Sequence, residues 1–325
     1  MTGLQPPARA PMAASQPVPE LALTDDPDIA EVQHLVCTWF ATHARDLPWR
    51  VQPTAWGVLV SEVMLQQTPV ARVQPVWSSW MQRWPAPSDL AADSVAEAIR
   101  AWGRLGYPRR AMRLHAAATV ITTEHAGNVP ADYATLRTLP GVGDYTAAAV
   151  VSFAFRGRAV VLDVNVRRLF ARYFAGLATA PGHVTAAERA MASALVPATP
   201  EAAATWAGAT MELGQVLCTA RNPACERCPL AVGCSWLAAG QPGAEQPTTR
   251  RQGYYGTDRY VRGLIMRRLR DGPTERDELD VLWPDRAQFA RALDSLVADG
   301  LVDPFAPQHF ALPGDAPPGK AGAGG

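Results

Sequence analysis

The chain has 325 residues, of which 48% are hydrophobic and 18% are charged, and its formal net charge is zero. This length allows two domains, and the hydrophobic fraction is high enough for a packed core, which excludes a wholly disordered chain. No run of about 18 uninterrupted apolar residues occurs, so we expect no transmembrane helix and no membrane partner.

Residues 1–27 are rich in Pro, Ala and Gln and lack the basic start and apolar run of a secretory signal. We predict a disordered tail over 1–27 and an intracellular, reducing compartment.

Between residues 28 and 236 apolar residues recur with a helical period, and strand signals are almost absent. Helices are predicted over about 29–44, 54–66, 70–83, 93–102, 109–125, 144–155, 164–174, 184–196 and 201–217. The short connections carry Pro or Gly. The pattern predicts an all-α core, which we place at 28–217.

Glu62 lies in a predicted helix, and its neighbours one turn away are Val58, Leu59 and Leu65. This puts a carboxylate on a mainly apolar face. Burial would raise its pKa and prepare it as a general acid. The alternative is a glutamate at the edge of the helix that reaches solvent.

Residues 100–172 contain eleven arginines and four acidic residues. Such an imbalance can form a phosphate-binding face, whereas an ordinary solvated helix face would usually mix the two signs.

Within this segment, the sequence LPGVGDYTAAAVVSFAF (139–155) carries two glycines one residue apart, Gly141 and Gly143. They allow a tight turn that exposes backbone amides at a helix start, which suits a phosphate. With Asp144 and the Ala-rich helix that follows, the segment fits a DNA-binding helix-hairpin-helix.

Asp163 precedes another predicted helix. It can cap that helix, it can face the same cleft as Glu62, or it can do both.

Four of the five cysteines lie within seventeen residues in the spacing C-x6-C-x2-C-x5-C: Cys218, Cys225, Cys228 and Cys234. Such a cluster indicates one metal centre in a loop over 218–236. A structural zinc is the alternative, but zinc sites usually pair two C-x2-C knuckles, and only one occurs here. Four thiolates in a compact loop favour a 4Fe–4S cluster. The fifth cysteine, Cys37, is predicted to be a small buried hydrophobe.

A Pro/Gly/Gln-rich linker is predicted over 237–257, a small basic winged-helix-like domain over 258–312 and a disordered tail over 313–325. The first predicted helix of that domain carries Arg259, Arg262, Arg267, Arg268 and Arg270. A capping box is predicted at Thr274 and Asp277, a further helix over 286–299, and a hairpin after it. We expect these arginines to add phosphate contacts.

Several motifs together resemble one family. They are RDLPWR (45–50), SEVMLQQT (61–68), RLGYPRRAMRLH (104–115), LPGVGDYTAAAV (139–150), LDVNVRR (162–168) and MELGQVLCTARNPACERCPL (211–230). Over 29–236 the chain resembles the helix-hairpin-helix DNA glycosylases with a C-terminal iron–sulfur loop, and within them the MutY-type adenine-specific branch.

The resemblance implies catalytic roles for four residues. Glu62 would protonate adenine at N7 and Asp163 would stabilise the oxocarbenium-like sugar, with Tyr145 and Asn165 assisting. Paired carboxylates suit the cleavage of a glycosidic bond, and the base must leave the duplex to reach them.

The resemblance also implies two groups of contacts. The adenine pocket would be lined by Arg45, Leu47, Trp49 and Arg50. The opposing strand would be contacted by Gln67, Thr68, Leu105 and Tyr107, some of them as wedges. Pro108 stands where many relatives carry a second aromatic residue.

The function implied is a monofunctional DNA glycosylase of base excision repair that flips out adenine mispaired with 8-oxoguanine or guanine and hydrolyses its N-glycosidic bond. We expect a monomer that acts on double-stranded DNA in the cytoplasm, at the nucleoid. Endonuclease III-like lyases carry a catalytic lysine where this chain has Tyr145, and the chain has one lysine, Lys320.

Two alternatives remain. One is a thymine- or other mismatch-specific glycosylase of the same fold. The other is a DNA-binding iron–sulfur redox regulator, which would leave Glu62, Tyr145 and Asp163 without a purpose. Residues 237–325 do not fit the nucleotide-hydrolase-like domain of larger MutY-type proteins. Either the core wedge or the small basic domain would therefore read 8-oxoguanine.

Overall fold

The structure is a computed structural model that describes residues 28–244 and 253–315. The tail predicted over 1–27, part of the predicted linker and residues 316–325 lie outside the described residues. No described helix has the length and hydropathy needed to span a membrane.

The first part of the structure is helical, as the apolar period predicts. Its helices are α1 (Ile29–His43), α2 (Pro48–Val51), α3 (Ala55–Leu65), α4 (Val70–Arg83), α5 (Pro87–Ala92), α6 (Val95–Trp102), α7 (Arg109–Glu124), α8 (Tyr133–Thr138), α9 (Asp144–Phe155), α10 (Val164–Ala175), α11 (Ala186–Leu195), α12 (Pro200–Val216) and α13 (Ser235–Ala238), with a 3-10 helix at Cys225–Arg227.

The bounds predicted for α4 and α9 are confirmed. The helix predicted over 93–102 starts two residues later, because the Ser94 side chain accepts a hydrogen bond from the Glu97 amide and caps α6. The helices α2, α5 and α8 are too short to show a full apolar period, and the sequence pattern missed them.

Two large hydrophobic clusters and a small third one, formed by Ala148, Val161 and Ala207, build this helical part. One is rich in tryptophan, with Trp80 packed edge-on against Trp84 and Trp102. The other joins α1, α10 and α12. Helix α9 packs against α3 on one side and α12 on the other. Residues of α3, α9 and the start of α10 therefore meet between the two clusters.

The last part of the structure, 253–315, is a small domain that we call the C-terminal module. It contains α14 (Asp258–Arg270), β1 (Thr274–Glu275), α15 (Arg276–Asp280), α16 (Arg286–Ala298), β2 (Asp303–Ala306) and β3 (His309–Ala311). The strands form an antiparallel sheet in the order β1-β3-β2. Three helices with such a sheet make a winged-helix-like arrangement.

The capping box predicted at Thr274 and Asp277 is wrong. Thr274 lies in β1, where its hydroxyl donates to the Gly272 carbonyl, and α15 starts only at Arg276. The strand forms because Thr274 pairs with Phe310 of β3, a long-range contact that the local pattern did not reveal.

The C-terminal module packs on the helical core rather than standing apart from it. Val261, Ile265 and Leu269 of α14 belong to the tryptophan-rich cluster. Asp315 pairs with Arg100 of α6. Residues 313–315, which we assigned to a disordered tail, thus help to hold the module on the core.

Candidate active site

Glu62 lies in the middle of α3 and is 4% exposed. Its Oε2 accepts a hydrogen bond of 2.6 Å from the Tyr145 hydroxyl. Burial raises the pKa of Glu62 to about 7, and the charge of Asp163 acts in the same direction. The Tyr145 hydrogen bond and Arg50 oppose this rise. Near neutral pH the side chain can therefore hold a proton and release it, as a general acid must.

Asp163 is the N-cap of α10. Its Oδ1 accepts hydrogen bonds from the Asn165 and Val166 amides at 2.9 and 2.7 Å, and its Oδ2 accepts one from the Asn165 side chain at 2.6 Å. Burial raises its pKa even so. Asp163 also lines the same cavity as Glu62. Asp163 thus both caps α10 and faces the cleft, two possibilities that the sequence left open.

The two carboxylates line one cavity of about 970 Å³. Its exposed wall area is more apolar than polar, and it includes the aromatic rings of Phe40, Trp49, Tyr145 and Phe153, which suits a flat heterocyclic ligand. The predicted site residues on its lining are Leu47, Trp49, Arg50, Glu62, Gln67, Thr68, Gly141, Gly143, Tyr145, Asp163 and Asn165. Residues from distant parts of the chain are therefore brought to one place.

Three predicted residues, Arg45, Leu105 and Tyr107, do not belong to this lining. Arg45 instead binds Glu212 of α12, with its Nη2 2.9 Å from Oε2. Arg50 donates to the same oxygen at 2.9 Å. The Glu212 side chain is fully buried, and the sequence analysis did not single it out. The only local sign of Glu212 in the sequence is a carboxylate within an apolar helix. We used that sign to predict a buried acid at Glu62 but not at Glu212.

Two loops carry the residues predicted to contact the opposing strand. Gln67 and Tyr107 both have positive φ angles, of 54° and 50°. A non-glycine residue in this region is uncommon and indicates a constrained turn. Tyr107 is 49% exposed, whereas Leu105 of the same loop is buried. We call residues 103–107 the wedge loop.

Buried Arg110 ties the two loops together. Its guanidinium donates to the carbonyls of Val63 and Gly106 and to the Thr68 hydroxyl, at 3.1, 3.2 and 3.2 Å. Val63 follows Glu62 directly. The wedge loop is thus held to the end of the helix that carries the candidate acid.

The glycine hairpin adopts the geometry expected of a phosphate site. Gly141 has a φ of +79°, and a Cβ there would lie 2.8 Å from the Arg113 Cβ, so the turn requires glycine. Gly143 is the N-cap of α9 and has no side chain to occupy the first amides of the helix. Tyr145 lies two residues later and reaches Glu62.

The Arg-rich segment divides between the interior and the surface, and the phosphate-binding face expected of it stays a prediction. Three of its eleven arginines are buried, and six are exposed: Arg104, Arg109, Arg113, Arg137, Arg156 and Arg158. Arg167 pairs with buried Glu188, and Arg137 pairs with Asp144. Within residues 28–244 and 253–315, Arg104 and Arg113 form no ion pair. Part of the imbalance in the sequence thus reflects arginines that bind carbonyls or distant acids inside the protein.

Four cysteines line one small apolar cavity beside α10 and α13: Cys218, Cys225, Cys228 and Cys234. None of the four forms a disulfide. Donors approach the sulfurs, with Arg172 Nη1 3.5 Å from the Cys218 Sγ and Gln241 Nε2 3.3 Å from the Cys225 Sγ. Cationic and amide donors of this kind stabilise the negative charge of a thiolate-bound cluster. The arrangement fits an iron–sulfur cluster. Among the described residues, no side chains converge tightly enough for a single metal ion.

A chain of hydrogen bonds connects this loop to Asp163. Arg168 donates to the Cys218 and Gly214 carbonyls, both at 2.7 Å, and to the Asn165 side-chain oxygen at 2.9 Å. Asn165 in turn binds Asp163. A Cβ on Gly214 would lie 2.7 Å from the Asn165 carbonyl oxygen, so a glycine is needed where α12 meets α10.

Comparisons with known proteins agree with this arrangement. Residues 60–192 match the HhH-GPD superfamily of base excision DNA repair proteins, and residues 218–234 match the iron–sulfur binding domain of endonuclease III. The adenine DNA glycosylase of Mycolicibacterium smegmatis is 50% identical over 289 residues, which are 87% of this chain and 96% of that protein. The chain belongs to the adenine DNA glycosylase family.

Two further comparisons extend this result. The adenine DNA glycosylase of Mycobacterium tuberculosis strain H37Rv is 49% identical over 92% of this chain and 98% of that protein, a share that includes most of the C-terminal module. The solved structure of a thermostable thymine-DNA glycosylase matches with a TM-score of 0.59 and 26% identity, over 65% of this chain and 97% of that one.

The resemblance seen in the sequence and the helix-hairpin-helix glycosylase fold are therefore confirmed. The protein is a DNA-binding base excision repair glycosylase, and its four-cysteine loop holds a 4Fe–4S cluster. The roles of the individual site residues and the boundaries 28–217, 218–236 and 258–312 stay predictions.

Proposed function

We propose that the protein excises adenine from duplex DNA in which the adenine faces 8-oxoguanine or guanine. The observation that carries this proposal is Glu62, a buried carboxyl with a pKa of about 7 that shares a largely apolar cavity with Asp163. The names of the relatives support adenine as the base.

Cleavage of an N-glycosidic bond needs a leaving base that accepts a proton and a negative group near the sugar. Protonated Glu62 donates its proton to N7 of adenine. The bond between C1′ and N9 breaks, and its electron pair leaves with the base. The Asp163 carboxylate stabilises the developing cation, and water adds to C1′ and releases a proton.

The base must be flipped out of the duplex to reach these groups. The apolar walls of the cavity favour a stacked heterocycle over a sugar or a chain, and Trp49 and Leu47 support this assignment. The exposed Tyr107 on its constrained loop suits a side chain that enters the vacated stack. The turn that carries Gly141 and Gly143 would bind the phosphate backbone of the DNA beside the cavity.

The test is a single-turnover assay on a labelled duplex with one adenine opposite 8-oxoguanine, followed by alkali. We expect cleavage at that adenine and also opposite guanine, and none on the same duplex with adenine opposite thymine. A duplex with thymine opposite guanine tests the alternative that the protein is a thymine-specific mismatch glycosylase, which the similarity to a thymine-DNA glycosylase suggests. Excision of thymine with no excision of adenine would overturn the proposal, and DNA binding without excision of any base would favour a regulator.

A further inference from the structure

The first turn of α14 lies against the wedge loop. The guanidinium of Arg259 stacks over the ring of Tyr107, 5.0 Å from its centroid, and lies 6.0 Å from the ring centroid of Tyr254. Arg259 and Tyr107 are both exposed. A residue of the C-terminal module thus contacts a side chain that the core is predicted to place in the DNA.

This contact is fixed by the way the module docks. At the far end of α14, the Arg270 carbonyl accepts a hydrogen bond of 2.9 Å from Arg100 Nε, and Arg270 Nε donates to the Ile99 carbonyl at 3.4 Å. Asp299 of the module pairs with Arg109, which follows the wedge loop. Helix α14 therefore runs along α6 and the wedge loop, and its first turn ends at Tyr107.

Three of the other four arginines of α14 bind groups of the protein itself, which leaves Arg259 and Arg267 as the candidates for the expected phosphate contacts. Arg262 pairs with Asp299 at 2.6 Å, and Arg268 pairs with Glu278 at 2.6 Å. Arg270 bonds to the core. Across the part of the chain that the structure describes, Arg259 and Arg267 form no ion pair, and Arg259 is the one that contacts the wedge loop.

Helix α16 offers less to DNA than a typical recognition helix. Its arginines at 286 and 291 pair with Asp280 and Asp258. The contact of the module with DNA is thus better placed at the start of α14 than along α16.

We propose that Arg259 extends the DNA-binding surface of the core. One face of its guanidinium holds the Tyr107 ring, and its N–H groups bind a backbone phosphate of the strand that the wedge loop enters. Arginine can do both, because its planar group stacks on an aromatic face while its edge binds phosphate. This inference rests on the proposed function for the identity of the DNA lesion.

The first experiment measures affinity for a duplex with adenine opposite 8-oxoguanine at several salt concentrations. All variants are made in the Glu62→Gln background, so binding is read without turnover and does not depend on whether adenine is excised. Arg259→Ala is compared with Arg286→Ala, which removes the same charge from the same module at an exposed position whose described contacts stay within the module.

We expect Arg259→Ala to weaken binding roughly tenfold, as for one lost hydrogen bond to a charged group. It should also flatten the log–log salt dependence by about 0.9, the value for one phosphate contact. Arg286→Ala should change neither quantity. Thermal melting of both variants checks that the module stays folded.

The second experiment is a double-mutant cycle of Arg259→Ala with Tyr107→Ala. The two changes should be non-additive by roughly two- to fivefold in affinity, as expected for a cation–π contact. Arg259→Lys keeps the charge but loses the planar group. It should therefore keep the salt slope and couple more weakly to Tyr107, because an ammonium still attracts the ring but cannot stack flat on it.

A salt slope and affinity equal to those of Arg286→Ala would overturn the proposal. So would an unchanged slope together with a loss of preference for 8-oxoguanine over guanine, because Arg259 would then read the base rather than the backbone. Failure of the proposed function would instead appear in the unsubstituted chain, as an absence of adenine excision.

Discussion

The Tyr145 hydroxyl donates a 2.6 Å hydrogen bond to the Glu62 carboxylate, across the interface of α9 and α3. A hydrogen bond to the charged form of an acid lowers its pKa, and burial raises it. In Glu62 burial prevails, and the pKa is about 7. The Tyr145 hydroxyl on α9 therefore limits how far burial raises the pKa of the candidate acid.

This relationship predicts the pH dependence of excision. If protonated Glu62 is the acid, the single-turnover rate should fall as the pH rises above about 7. At low pH the rate should be limited by protonation of Asp163, whose pKa burial raises and which must be ionised to stabilise the sugar cation. Tyr145→Phe removes a bond that lowers the pKa, so the point at which the rate falls should move to higher pH. The measurement is a rate–pH profile at saturating enzyme for both proteins. A profile that stays in place or moves to lower pH in Tyr145→Phe would contradict this account.

Replacing Glu62 with Gln should abolish most excision and preserve DNA binding. The amide has the shape of the carboxyl and can still accept the Tyr145 hydrogen bond, but it cannot deliver a proton. General acid catalysis contributes about 10²- to 10⁴-fold in rate, so a loss of that size is expected. Single-turnover excision and a binding titration measure the two properties. A variant that keeps most of its rate would make Glu62 a structural residue.

The environment of Glu62 could be predicted because its apolar neighbours lie within one helical turn. The partner of Arg45 and Arg50 could not, since Glu212 lies 167 and 162 residues away along the chain. The same limit applies to α14. Its apolar period marks a helix, but only the docked structure shows that Arg270 faces the core and Arg259 faces Tyr107. The period of apolar residues in the sequence identifies the helices, whereas the partner of each charged side chain depends on contacts between distant parts of the chain.

Arg168 links the cluster loop to the active site, and Arg168→Ala should impair both. Its guanidinium holds the Cys218 and Gly214 carbonyls and the Asn165 side chain. Losing charged hydrogen bonds to buried acceptors costs about 1.5–3 kcal/mol each, so the melting temperature should fall. We also expect fewer irons than the roughly four per chain of a 4Fe–4S protein, and slower excision.

The matched control for Arg168→Ala is Arg167→Ala, which breaks a buried pair with Glu188 on the same helix. It should lower stability without lowering the excision rate per folded, iron-loaded molecule. Equal effects of the two substitutions on that rate would show that Arg168 acts through stability alone.

Borohydride should not trap the protein on DNA through a side chain of the core. A Schiff base needs an amine, and the chain has one lysine, Lys320, which lies outside the described residues. The family resemblance implies that Tyr145 occupies the position where the endonuclease III-like lyases carry their lysine. The assay uses a trapped-complex gel, with an endonuclease III-type lyase as the positive control. A trapped adduct mapped by mass spectrometry to residues 29–236 would contradict a monofunctional mechanism, whereas one at the terminal amine would not.

Glu212→Gln should destabilise the protein and disturb the base pocket together. Burial favours the neutral form of Glu212, but hydrogen bonds from Arg45 and Arg50 hold its pKa below the ordinary value. Breaking a buried ion pair costs about 3–5 kcal/mol, and here we expect the lower part of that range because both arginines reach solvent. Arg50 also lines the cavity, so its release should slow excision.

The pH dependence and a matched control test this last prediction. The depressed pKa means that the stabilisation by Glu212 is present above its unfolded-state pKa of about 4.3 and is lost as pH falls through the lower folded-state value. The difference in stability between Glu212→Gln and the unsubstituted chain should therefore shrink below about pH 4. Glu188→Gln removes the charge of another buried carboxylate that lies away from the cavity. It should lower stability in denaturant titrations but leave the excision rate of the folded protein intact. If Glu212→Gln also lowers stability but leaves the excision rate intact, the ion pair between Glu212 and Arg50 stabilises the fold and does not shape the base pocket.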